Sequence, residues 1–181
     1  DGWTVTASPG SRAQLSWERG DEGSSLRLDF DLANASGFVI VRKEIELVLP
    51  ENFAFSYRLR GEAPRATLEF KLVAPDGNVW WRREPNVSFP HDWAPVVIRR
   101  SRLAFAWGPQ GGGNPTRAAA IEVAIGGGVR GSGTLWIDDL AFEPREPIAA
   151  SPALPLADAS STRAGSQPGF AIDGSLVTAW K

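Results

Sequence analysis

Apolar and polar residues alternate with a period of two through most of the chain, and that single feature leaves little besides β-structure open. Leu26, Leu28, Phe30 and Leu32 alternate with Arg27, Asp29 and Asp31. Ile45, Leu47 and Leu49 alternate with Glu44, Glu46 and Val48. Phe53, Phe55, Tyr57 and Leu59 are spaced by Ala54, Ser56 and Arg58, and Leu68, Phe70 and Leu72 by Glu69 and Lys71. Leu103, Phe105 and Trp107 enclose Ala104 and Ala106, and Ile121, Val123 and Ile125 enclose Glu122 and Ala124. Successive side chains of an extended chain point to opposite faces, so each run reads as a half-buried strand. Turn signals separate the runs: Gly20-Asp21-Glu22-Gly23, Pro75-Asp76-Gly77-Asn78, Gly111-Gly112-Gly113-Asn114-Pro115 and Gly126-Gly127-Gly128. The Pro-Asp-Gly-Asn stretch between two apolar runs predicts a hairpin. No window carries the period of a long amphipathic helix. The expectation is an all-β fold, a β-sandwich jelly roll, over residues 1–144.

Composition supports a packed core and narrows the function classes. The chain has 181 residues, of which 43% are hydrophobic, with eight Trp and nine Phe. Its 19 basic and 21 acidic residues give a net charge of −2, against the basic excess of a nucleic-acid protein. No apolar run is long enough to span a membrane as a helix. There is no Cys, so no disulfide, and the redox compartment stays open. There is no Met, at position 1 or elsewhere, which leads us to expect a processed or cut piece of a longer chain. After Phe142 the strand period stops, and the Pro- and Ala-rich residues 145–157 read as an extended linker. Residues 158–181 then form a separate segment.

Gly77 to Trp93 holds three Trp, the single His and two Arg. Trp80 and Trp81 are neighbours on a strand and face opposite ways, one into the core and one outward. The same parity puts Trp81 with Arg83 and Trp80 with Arg82. An exposed indole beside a guanidinium suits a sugar, because the ring covers its C–H face and the fork bonds its hydroxyls. An edge Trp with Arg stacked over it for solubility gives the same pattern. Trp93 reads as a core plug that starts the next strand. The Trp107 strand runs into a Gly-rich loop in which Gln110 and Asn114 carry amides suited to hydroxyls. The loop lacks the Gly-Lys-Ser/Thr of a phosphate-binding loop, and a solvated connection fits it equally. Catalysis finds few parts: His91 sits between Pro90 and Asp92, no nucleophile elbow is present, and a zinc site lacks ligands. No enzyme is expected.

The strand Gly133 to Pro144 contains adjacent carboxylates, Asp138 and Asp139. Period two sends them to opposite faces, so one points inward or sits at a bulge. An inward carboxylate needs an Arg, backbone N–H groups or a hard cation such as Ca²⁺. The stretch Gly133-Thr134-Leu135-Trp136-Ile137-Asp138-Asp139-Leu140 resembles the last strand of jelly-roll carbohydrate-binding modules with the galactose-binding-domain-like fold. That resemblance covers residues 1–144. It implies glycan binding, and a structural calcium held by Asp139 or Asp138 with a second carboxylate from Asp29, Asp31 or Glu44; Asp31 is carried as the candidate.

The last segment is similar to the opening of discoidin domains, also called coagulation factor 5/8 type C. The matching residues are Ala159-Ser160-Ser161, Pro168, Ala171-Ile172-Asp173-Gly174 and Thr178-Ala179-Trp180. This resemblance implies a domain truncated in residues 158–181, with Trp180 made for a core that the chain does not contain. Together the two resemblances imply an accessory domain that holds a larger secreted, periplasmic or cell-surface bacterial protein on a polysaccharide, with downstream domains of the same parent chain as neighbours. The alternative is a structural or protein-docking sandwich without sugar affinity.

Overall fold

The computed structural model describes residues 2–20, 23–109, 111–127 and 130–147. Among them run eleven strands: β1 (Trp3–Ala7), β2 (Arg12–Gly20), β3 (Gly23–Leu32), β4 (Phe38–Val48), β5 (Phe53–Glu62), β6 (Ala66–Val73), β7 (Val79–Val87), β8 (Ala94–Arg99), β9 (Ala104–Trp107), β10 (Arg117–Gly126) and β11 (Gly131–Pro144). A 3₁₀ turn, Arg100–Arg102, links β8 to β9. One sheet has six strands in the order β1-β4-β10-β6-β7-β9, the other five in the order β2-β3-β11-β5-β8. Neighbouring strands pair antiparallel. This is the expected β-sandwich. The strands belong to a compact unit, Asp1–Pro147. Gln110 and the discoidin-like segment with Trp180 lie outside the described residues.

The period-two residues meet between the sheets. Leu28 and Leu32 from β3, Phe53 and Phe55 from β5, Phe70 and Leu72 from β6, Ile121 and Ile125 from β10 and Leu135 from β11 are all buried. Phe55 is central, with Phe70 at 5.4 Å and Phe142 at 5.1 Å between ring centroids. Burying side chains of this size stabilises by roughly 1.5–3 kcal/mol each. Gly61 is where only glycine fits, since a Cβ there would stand 2.4 Å from Leu135 Cδ2 and 2.7 Å from Phe89 Cβ.

One expectation about the aromatics is corrected. Trp93 is not a core plug; it lies half-buried against the outward side chains Arg58 and Arg60 of β5. Phe89 takes the buried place instead, in the same loop, whose Pro90 carbonyl accepts from Gly61 N–H at 2.8 Å. Trp107, a candidate ligand contact from the sequence, leaves the side of β9 on which Phe105 packs against Trp80. A bulge in β9 pairs Phe105 with Trp80 but Trp107 with the next residue, Val79. The extra residue flips the parity and sends Trp107 to the outer face.

Candidate functional site

The Pro75-Asp76-Gly77-Asn78 hairpin sets the register that builds the site. Ala74 N–H bonds Asn78 O at 2.8 Å, Asp76 Oδ1 accepts from Asn78 N–H at 3.0 Å, and Gly77 takes φ +85°, which favours glycine. Counting back from this turn pairs Leu72 with Trp80 and Lys71 with Trp81. Trp80 therefore joins Leu72 in the core, 4% exposed, and Trp81 stands on the outer face of the six-stranded sheet. Trp80 is thereby removed from direct ligand contact. Its Nε1–H donates instead to Gly113 O at 2.9 Å.

Trp81 and Trp107 meet on that outer face, edge to face, with centroids 5.5 Å apart. Trp107 is 48% exposed. Lys71 Nζ lies 5.6 Å from the Trp107 ring, and Arg83 Cζ lies 5.9 Å from Trp81. Glu69 spans the two cations, 3.1 Å from Arg83 Nε and 3.1 Å from Lys71 Nζ. The carboxylate fixes both head groups beside the rings. The predicted partners Trp81, Arg83 and Trp107 are thus brought together. Lys71 and Glu69 were missed, although the hairpin register placed Lys71 opposite Trp81.

Arg82 faces the other way. It pairs with Glu84 and donates from Nη1 to Val97 O of β8 at 2.9 Å, tying one sheet to the other. Beneath them an apolar cavity of about 180 Å³ is lined by Tyr57, Leu68 and Phe70 among others. Burial there pushes the Tyr57 hydroxyl up, out of the ordinary tyrosine range, with Arg82 opposing and Glu84 adding to the shift. Asn114 is exposed and accepts from Arg100 Nη2, at the far end of the Gly-rich loop. It does not join the Trp81 face.

The candidate metal carboxylates do not converge. Asp138 Oδ1 accepts the N–H of Asp139, and Asp139 Oδ2 is 3.7 Å from Arg58 Nη1. A register shift between Asp138 and Ala141, with Asp139 at φ +53°, makes the bulge that separates the pair. Asp31 is paired with Ser132, six residues up β11 from Asp138, roughly 20 Å along the strand. Among the described residues no three His, Asp or Glu side chains gather to hold an ion. These donors do not fit a calcium site.

The five-stranded sheet carries its own outward row, which sequence reasoning did not single out. Trp136 on β11 is flanked in register by Arg27 and Arg60. Arg60 Cζ is 4.0 Å from its centroid and Arg27 Cζ 5.4 Å, while Trp136 Nε1–H donates to Glu18 Oε2 at 2.6 Å. Trp136 is buried under its guanidiniums and offers no free platform, and Trp93 is half-buried with two guanidiniums, Arg58 and Arg60, on one ring. Beside them Arg27 holds Asp29 through Nε and Nη2, each at 3.0 Å, and Thr134 Oγ1–H donates to Asp29 Oδ1 at 2.7 Å. The Arg27 bonds hold the Asp29 carboxyl below its ordinary value, burial opposes them, and Thr134 lowers it further. A lowered folded value means that the ionised group stabilises above its unfolded value. That contribution is lost as pH falls through the folded value. Asp29→Asn is expected to flatten the acid limb of the stability curve below about pH 4, read by thermal melts from pH 2 to 6.

No family model matches the chain, and no curated protein does. Solved structures do. The family 11 carbohydrate-binding module of a cellulosomal cellulase of Clostridium thermocellum superposes with TM-score 0.62 at 12% identity, covering 79% of this chain and 87% of that one. The fold is that of β-sandwich carbohydrate-binding modules. A further structure of the Clostridium thermocellum family 11 module, in complex with a β-1,3-1,4-mixed-linked tetrasaccharide, gives TM-score 0.62 at 12% identity over 79% and 88% of the two chains. A CBM4 structure gives 0.53 at 16% identity, over 80% of this chain and 95% of that one. At such identities the likeness to these modules is one of fold.

Proposed function

We propose that this sandwich is a non-catalytic carbohydrate-binding domain whose sugar platform is Trp81 with Trp107, flanked by Arg83 and Lys71. The observation that carries it is the pair of indoles, 5.5 Å apart on an outer sheet face, with a cation held beside each. Indoles supply apolar area for the C–H faces of a sugar, and exposed Arg83 supplies donors for its hydroxyls, while buried Lys71 supports the Trp107 ring from beneath. The fold supports the same reading, since proteins with this architecture include modules that carry an oligosaccharide. We place the domain in a larger secreted or cell-surface protein that it holds on a polysaccharide. His91 is exposed in its loop between Pro90 and Asp92.

The test is affinity electrophoresis against soluble polysaccharides with Trp81→Ala and Trp107→Ala. Each is expected to weaken the binding of any glycan that retards the native chain by about tenfold or more, about 1.4 kcal/mol. Glycan binding that survives both substitutions unchanged sinks the platform. If no glycan retards the native chain, the docking-sandwich reading takes its place.

A further inference from the structure

Trp81 has a second neighbour besides Trp107. Strand β9 pairs with β7 only from Val79 to Trp81, so past Trp81 the outer edge of β7 has no ladder partner among the described residues. Opposite it runs β8, the end strand of the other sheet. Between these edges opens a cleft of about 770 Å³ whose walls include Trp81, Arg82, Arg83, Glu84, Arg99 and Arg102. That volume lies in the range of ligand-holding clefts.

The cleft is basic on a chain that is acidic overall. It gathers four guanidiniums against one carboxylate, Glu84, while the whole chain has a net charge of −2. Two of the four are committed: Arg82 to Glu84 and Val97 O, and Arg83 to Glu69. Arg99 and Arg102 make no ion pair or side-chain hydrogen bond with any described residue, and both are exposed. Arg99 and Arg102 line a concavity that has an indole as one wall.

Resting on the sugar-binding reading above, we propose that this cleft selects anionic saccharide units, with Arg99 and Arg102 gripping a carboxylate or sulfate while Trp81 covers the ring. A guanidinium fork bonds either group through two parallel N–H donors, which a neutral hydroxyl cannot match. The aromatic face makes the site a saccharide site rather than a plain anion exchanger.

The experiment compares polygalacturonate, dextran sulfate and neutral mixed-linked β-glucan at low and at physiological salt. It uses the native chain, Arg99→Gln with Arg102→Gln, Trp81→Ala, and a charge-matched control, Arg19→Gln with Arg65→Gln. The native chain is expected to prefer one or both anionic polymers; which of the two tells carboxylate from sulfate. The cleft double variant should lose about tenfold or more of that binding per arginine, and the control should change it by no more than about twofold. Trp81→Ala should lose it as well. Equal binding of neutral and anionic glycans, or an unaffected cleft variant, overturns the charge selection and leaves sugar binding standing. An equal loss in the control, or unchanged anionic binding in Trp81→Ala, reduces the cleft to general electrostatics and overturns it too. No binding to any of the three polymers or to a wider glycan panel removes the sugar-binding reading itself.

Discussion

Trp136→Ala is expected to destabilise the chain by about 3 kcal/mol, the lower end of the range for removing a buried Trp. Trp136 points outward from the five-stranded sheet and yet is only 5% exposed. Its cover is made of charged side chains: Arg60 at 4.0 Å, Arg27 at 5.4 Å, and Glu18 receiving its indole N–H at 2.6 Å. Arg60 Nε is buried with no hydrogen-bond partner among the described residues, and of the two rings beside the guanidinium Trp136 is the nearer, at 4.0 Å against 5.5 Å for Trp93. Removing the ring leaves that guanidinium only the more distant Trp93. Water can refill part of the gap on an outer face, which is why the lower end applies. For a chain of this length about 3 kcal/mol corresponds to a fall in Tm of roughly 6–12 °C. Trp136→Phe keeps a ring between the arginines and loses only the bond to the exposed Glu18, so it should cost about 1 kcal/mol. Urea denaturation of both variants reads the difference directly. Equal costs for the two would mean that the hydrogen bond, and not the stacked row, holds this face together.

How far such positions are legible in the sequence depends on whether they are set locally. The strand faces are local, because parity along one strand decides them. Leu28, Phe55, Phe70 and Ile121 fall in the core as their alternation requires. The division of Trp80 from Trp81 is local for the same reason, and Lys71 opposite Trp81 follows from the Asp-Gly turn. Bulges break this logic with a single inserted residue. One in β9 turned Trp107 outward, and one after Asp138 sent Asp139 toward Arg58. Trp93 was misread because its neighbours Arg58 and Arg60 come from a strand more than thirty residues earlier in the chain. Arg99 and Arg102 carried no signal at all. They face Trp81 only because β8 and β7 end up at the same side of two different sheets, and no period within a strand encodes that.

Trp80→Ala should show that the binding face is supported from inside the sandwich. Trp80 is buried in β7, with Phe105 edge-on at 5.9 Å and Gly113 O accepting its indole N–H at 2.9 Å. The Gly-rich loop lies close over Phe105, so close that a Cβ on Gly112 would stand 3.4 Å from that ring. One indole thus fastens both the loop and β9, a strand that pairs with β7 over only three of its residues and carries Trp107 at its end. Losing the whole ring is expected to cost about 3–5 kcal/mol and roughly 6–20 °C in Tm. Trp80→Phe is the sharper variant. It keeps most of the packing and removes the tether to Gly113, at about 1 kcal/mol. Without the tether β9 frays more readily, and Trp107 spends less time beside Trp81. Glycan binding by Trp80→Phe should therefore weaken severalfold, although residue 80 touches no ligand. Hydrogen exchange of the β9 amides, measured on the same sample, should speed up in parallel. A Trp80→Phe chain that binds glycan as the native one does, with β9 exchanging faster, would show that Trp107 contributes little and that Trp81 and the arginine cleft carry the binding alone.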